Sequence, residues 1–130
     1  MAQFDEREAM NRNNAIKIVL SILILMFSGL CFAADVQQSE INHLLQYIER
    51  TNCKQERNGT EYSGAEAVAH VQKKYAYFKD KIHGTEEFIM YSATKSEVSG
   101  KPYTVHCPGQ PAINSRDWLL KELSRFRQKK

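Results

Sequence analysis

The run Ile18–Leu30, IVLSILILMFSGL, constrains this chain more than any other segment. Lys17 precedes it, and Cys31-Phe32-Ala33-Ala34 follows. A signal for export combines a basic stretch, an apolar stretch of roughly 7–15 residues and a small-x-small cleavage site. Cleavage after Ala33 sets the small residues Cys31 and Ala33 at the third and first positions before the cut. Residues 1–33 are therefore read as a signal peptide and residues 34–130 as one domain, delivered to the periplasm or secreted. Two alternatives remain open. An uncleaved anchor would need roughly 20 apolar residues, more than the run offers. A lipoprotein would need a small residue before Cys31, where Leu30 stands. No stable membrane span is expected once the signal is removed.

The leader itself is acidic at its start, with Asp5, Glu6 and Glu8. Beginning at Met10 gives MNRNNAIK, with Arg12 and Lys17 and no acid. Translation from Met10 is expected, with residues 1–9 an upstream extension.

Removing residues 1–33 also settles the cysteine arithmetic. Of 3 cysteines, Cys31 leaves with the signal, and Cys53 and Cys107 remain. An even pair in an exported chain is read as a disulfide. Two cysteines with no close histidine make a poor zinc set, and none of His43, His70, His83 and His106 stands at metal-ligand spacing. No metal or cofactor is implied. The net charge of +3 is a mild bias and gives no reason to expect a nucleic-acid partner.

Local signals then order the mature chain. Ser39 can cap a helix to about Thr51, with Ile41, Leu44, Leu45 and Ile48 as one apolar stripe. Asn58-Gly59 is a strong hairpin signal, because a type I′ turn needs two positive φ values. Asn58-Gly59-Thr60 also fits a glycosylation sequon, but the turn chemistry accounts for it. Ser63-Gly-Ala-Glu66 is a capping box. It opens a helix to about Lys79, with a core stripe of Val68, Val71, Tyr75 and Phe78 and with Ala67 at its margin. His70, Lys73, Lys74 and Tyr77 lie towards the opposite side. Thr85 caps a shorter helix with Phe88 and Ile89 as core contacts. Pro102–Cys107 is the best strand, aromatic and β-branched. Ser115 caps a last helix with Leu119, Leu123 and Phe126 as its stripe and Trp118 beside it. The expected fold is α+β, with about four helices packed on a small antiparallel sheet made of the hairpin plus one strand.

Three short patterns bear on function. Ser92-Ala-Thr-Lys95 matches S-x-x-K, where one helical turn can place a lysine amine beside a serine hydroxyl and activate it. Its usual companions, S-D-N and K-T-G, are absent, and the bland reading is a frayed helix end. No catalytic residue is assigned. Ser99-Gly100-Lys101-Pro102-Tyr103 resembles the SGxxY motif of small envelope lysozyme inhibitors, whose loop enters a lysozyme cleft. A plain turn followed by a strand explains the same residues. Lys121, Arg125 and Lys129 recur along the last helix, where cations suit the helix dipole.

Taken together, Arg57-Asn58-Gly59, Glu66-Ala67, His70, Glu87-Phe88-Ile89 and Ser99-Gly100-Lys101-Pro102-Tyr103 resemble a family of small exported bacterial proteins of unknown function, the YfeK-like proteins. The likeness spans most of residues 40–126. It implies a periplasmic address and carries no catalytic residue. Polar residues flanking turns, rather than filling stripes, nominate Arg57, His70, Lys101 and Tyr103 as a binding surface. The expected role is a binding or accessory protein of the bacterial cell envelope. Its expected partner is an envelope protein or an anionic envelope polymer. A lysozyme inhibitor acting through Ser99–Tyr103 and a hydrolase using Ser92 and Lys95 are the alternatives.

Overall fold

A computed structural model describes the backbone of residues 2–130 and the side chains of residues 11–22 and 32–130. Much of the expected signal, including Leu23 to Cys31, lies outside the described side chains. The chain divides into two compact units, Met1–Val36 and Gln37–Lys130. In the first, the described apolar side chains Ile16, Ile18, Val19, Leu20 and Ile22 stand exposed. Among the described residues, no helix is long and apolar enough to cross a membrane.

Helix α1 runs Ala2–Arg50. The helix therefore does not begin at Ser39, contrary to expectation. No Gly or Pro lies between Leu30 and Arg50, so nothing interrupts the backbone ladder there, and Ser39 is an exposed interior position. From Ile41 onward the expected stripe holds: Ile41, Leu44 and Ile48 are buried, and Leu45 packs against them.

β1 (Lys54–Arg57) and β2 (Thr60–Tyr62) form the hairpin. Asn58 and Gly59 between them have φ of 50° and 81°, as the Asn-Gly turn requires. β3 (Thr104–His106) pairs antiparallel with the other side of β1, with Gln55 opposite Val105. Pro102 lies before it, bridged to Lys95. A fourth strand that the sequence did not signal, β4 (Ile113–Asn114), pairs with β3 and completes the order β2-β1-β3-β4. Two residues are too few to show a strand period.

Helix α2 (Gly64–Phe78) opens on the expected capping box. The Ser63 hydroxyl accepts from Glu66 N at 3.3 Å, and the Glu66 carboxylate accepts from Ser63 N at 2.8 Å. A short 3-10 turn, Lys79–Lys81, extends it and adds a fifth helical element to the four expected. Ala67, expected at the margin, is fully in the core beside Val68 and Val71. Lys74, expected on the outer side, is buried.

Helices α3 (Thr85–Ser92) and α4 (Ser115–Gln128) complete the fold. Their caps are not the expected ones, because both hydroxyls are used for tertiary contacts. Gly84 precedes α3, while Thr85 Oγ1 donates to Glu40 Oε2 at 2.7 Å. Asn114 precedes α4, while Ser115 Oγ accepts from Gln55 Nε2 at 3.2 Å. Phe88 and Ile89 of α3 and Leu119 and Leu123 of α4 close the core against α1 and α2. Phe126, expected in the stripe, instead stacks on His43 with ring centroids 4.0 Å apart.

Cys53 and Cys107 are joined as a disulfide, with Cα atoms 4.2 Å apart. The bond ties the exit of α1 to the end of β3. Arg127 of α4 grips Glu40 at 2.9 Å and Glu86 at 2.5 Å, fixing the far end of the last helix to α1 and α3.

Candidate functional site

Helix α2 and the segment joining α3 to β3 form the two walls of a groove. The capping box starts α2 in a fixed register, which sets His70, Lys73, Lys74 and Tyr77 along one side. The opposite wall is a tight loop. Ser96 N donates to Lys101 O at 3.0 Å, and Gly100 N donates to Ser96 O at 2.9 Å. This loop is stapled to the β1–β2 turn: Ser99 Oγ donates to Asn58 Oδ1 at 2.6 Å, and Asn58 Nδ2 donates to Ser96 Oγ at 3.3 Å. Both polar atoms of the Asn58 amide are therefore engaged.

Between the walls lies a groove of about 410 Å³. Its mouth is apolar, with Tyr77 82% and Val98 99% exposed, and Phe78 lies deeper. At the base is Lys74. Its ammonium donates to Lys95 O at 2.7 Å and lies 3.4 Å from Glu97. It stands 5.2 Å above the Tyr103 ring. Burial lowers the Lys74 pKa, and the Glu97 carboxylate opposes that effect.

His70 Nε2 lies 3.1 Å from Tyr103 Oη, and the two rings meet edge to face. Burial, together with the neighbouring charges of Arg57, Lys74 and Lys73, pushes the His70 pKa down to about 4. Burial raises the Tyr103 pKa. At neutral pH the pair is therefore uncharged, enclosed by cations. Arg57 lies over the Tyr62 ring at 3.9 Å. Its Nη1 is buried without a hydrogen-bond partner among the described residues.

Of the four nominated residues, His70 and Tyr103 line the groove, and Arg57 lies outside its lining but close enough for its charge to act on both. Lys101 does not line the groove; its side chain is exposed and its carbonyl closes the loop. Lys74, Tyr77 and Val98 were missed. Lys74 and Tyr77 share the His70 side of α2, a signal that the helical spacing offered. Val98 sits in a loop and left no signal.

Both short motifs lie in the segment that ends α3 and leads to β3. Helix α3 ends at Ser92, and Ala93 leaves helical geometry with φ of −136°. Ser92 is 0% exposed and Lys95 is exposed, so the one-turn serine–lysine pairing is not formed. In the Ser99–Tyr103 stretch the Ser99 hydroxyl is committed to Asn58, and Tyr103, 3% exposed, faces inward towards His70. Among the described residues, no group of three or more His, Cys, Asp or Glu side chains could hold a metal ion.

Comparison with known proteins agrees with the sequence likeness. The chain matches a family of unknown function (DUF5329) over residues 35–127. It is 31% identical over 91 residues to the uncharacterized protein YfeK of Salmonella typhimurium strain LT2, covering 67% of this chain and 75% of that protein. No solved structure matches. The chain therefore belongs to this family of unknown function.

Proposed function

We propose that residues 34–130 form an exported binding module of the bacterial envelope, released from a signal peptide by cleavage after Ala33. The apolar run, the small-x-small site and the paired cysteines support export. The family match supports the boundary, since it begins at residue 35.

The ligand we assign to the α2 groove is an anionic amphiphile, an acidic headgroup on a short apolar stem. One observation carries this reading. Lys73 and Lys74 line the groove beside an uncharged His70–Tyr103 pair, Arg57 adds positive charge close to that pair, and among the described residues Glu97 is the one carboxylate lining the groove. This cation surplus faces a mouth built from Tyr77 and Val98. An anion is attracted by the surplus, and its stem can cover side chains that otherwise meet water. Binding, not hydrolysis, is the role assigned, since Ser92 and Lys95 are not brought together.

The test is a calorimetric titration of the purified protein with dihexanoyl phosphatidylglycerol and, separately, dihexanoyl phosphatidylcholine, both as monomers. The proposal predicts saturable binding of the anionic lipid that weakens as salt is added and as Lys73→Ala or Val98→Asp is introduced. Equal binding of both lipids, or binding of neither, contradicts it.

A further inference from the structure

A second face, on the α1–α4 side of the domain, is built differently. Tyr47 of α1 and Trp118 of α4 lie with ring centroids 4.6 Å apart and planes 34° apart. Both rings are only half-buried, although they pack on the core edge. One turn beyond Trp118, Glu122 is 4% exposed. Its carboxylate contacts His43 Nε2 at 2.6 Å and accepts from Arg125 Nε at 2.7 Å. Arg125 Nη2 also donates to Glu122 Oε1. Burial opposes ionisation of Glu122, but Arg125 and His43 outweigh it and the net pKa is lowered. His43 is fixed in turn by stacking on Phe126. Carboxylate, guanidinium and imidazole are thus locked beside the aromatic pair.

Two hollows open on either side of Tyr47. One, of about 570 Å³, is lined by Trp118, Glu122, Arg125 and Gln110. The other, of about 260 Å³, is lined by His43 and Arg50. The larger lies within the roughly 300–1,000 Å³ of small-molecule sites.

We propose that this face binds a neutral oligosaccharide. A sugar ring offers an apolar C–H face and a rim of hydroxyls that both donate and accept. Tyr47 and Trp118 supply the apolar platform. Arg125 supplies donors and Gln110 both kinds of group. Glu122 is buried and paired with the half-exposed Arg125, so that pair offers no free charge to a ligand, and Lys121 lines the hollow as an exposed residue. A purely apolar ligand would leave these polar groups without partners. This site shares no residue with the α2 groove and does not depend on that reading.

The chain has one tryptophan, Trp118, so tryptophan emission reports on this face alone. The purified protein is titrated with maltotriose, cellotriose and triacetylchitotriose, following emission and acrylamide quenching. At least one sugar is expected to shift the emission and protect Trp118 from quencher. Arg125→Met and Tyr47→Leu are each expected to weaken that binding about tenfold (about 1.4 kcal/mol). Arg125 is 49% exposed and His43 still contacts Glu122 in its absence, and circular dichroism of Arg125→Met checks that the fold is kept. The proposal is overturned if no sugar protects Trp118 at millimolar concentration, or if Arg125→Met binds as the parent does. It is equally overturned if poly-glutamate protects Trp118 and the sugars do not, which would mark the face as a peptide site.

Discussion

His70 on α2 and Tyr103 beside β3 share a hydrogen bond of 3.1 Å across 33 residues of sequence. The bond joins the helical layer to the sheet side at the base of the groove. In the folded protein the His70 pKa sits at about 4 instead of the ordinary 6.5, because burial and three neighbouring cations disfavour its charged form. The unfolded chain therefore binds the proton first as pH falls. Between pH 6.5 and about 4 this group makes stability fall with decreasing pH, and above 6.5 it contributes no slope. Glu40 and Glu122 are lowered below 4.5, so their stabilisation begins to be lost only below that value. Urea denaturation across a pH series checks this. His70→Gln is expected to flatten the profile between pH 4.5 and 6.5 and to leave the steeper acid limb in place.

Gly64 is fixed by close approach. It lies at the first turn of α2, directly against the last carbonyls of α1. A Cβ there would meet Glu49 O at 2.7 Å, with Ile48 O nearer still. Both are backbone atoms and cannot swing aside. Gly64→Ala is therefore expected to destabilise by about 1–3 kcal/mol, as overpacking does. In a domain of this size each kcal/mol lowers Tm by roughly 4–8 °C. A calorimetric scan that found Tm unchanged would mean that α2 does not sit this close to α1.

The Cys53–Cys107 bond closes a long loop, with a sequence separation of 54. Chain-entropy reasoning puts its contribution at about 4 kcal/mol, a large part of the 5–15 kcal/mol that a domain usually has. The Cys53→Ser/Cys107→Ser double variant is expected to lose most of its Tm margin. Reductant should destabilise the parent and leave that variant unaffected.

Much of this fold was legible because its signals are local. The Asn58-Gly59 turn, the Ser63–Glu66 capping box and the Ile41, Leu44, Ile48 stripe depend on residues within a few positions of each other. What the sequence hid was supplied from far along the chain. β4 is two residues long and exists because β3 pairs with it. Thr85 and Ser115 look like caps, but Glu40 and Gln55 engage their hydroxyls instead. Lys74 looks like an outer residue, yet a carbonyl 21 positions away receives its ammonium. The site follows the same rule. Arg57 and Tyr103 flank turns, and His70, inside α2, shares a helix side with Lys73, Lys74 and Tyr77, so all three could be nominated. Val98 joins them only through the Ser99–Asn58 staple, which nothing local announces.

The groove is tested most directly by amide chemical-shift mapping of the isotope-labelled protein during titration with monomeric dihexanoyl phosphatidylglycerol. Lipid bound in the α2 groove is expected to give the largest, saturable shifts at His70, Lys73, Lys74, Tyr77 and Glu97–Val98, with the Tyr47–Trp118 face unmoved. Shifts centred on Tyr47 and Trp118, or none that saturate along α2, would contradict it.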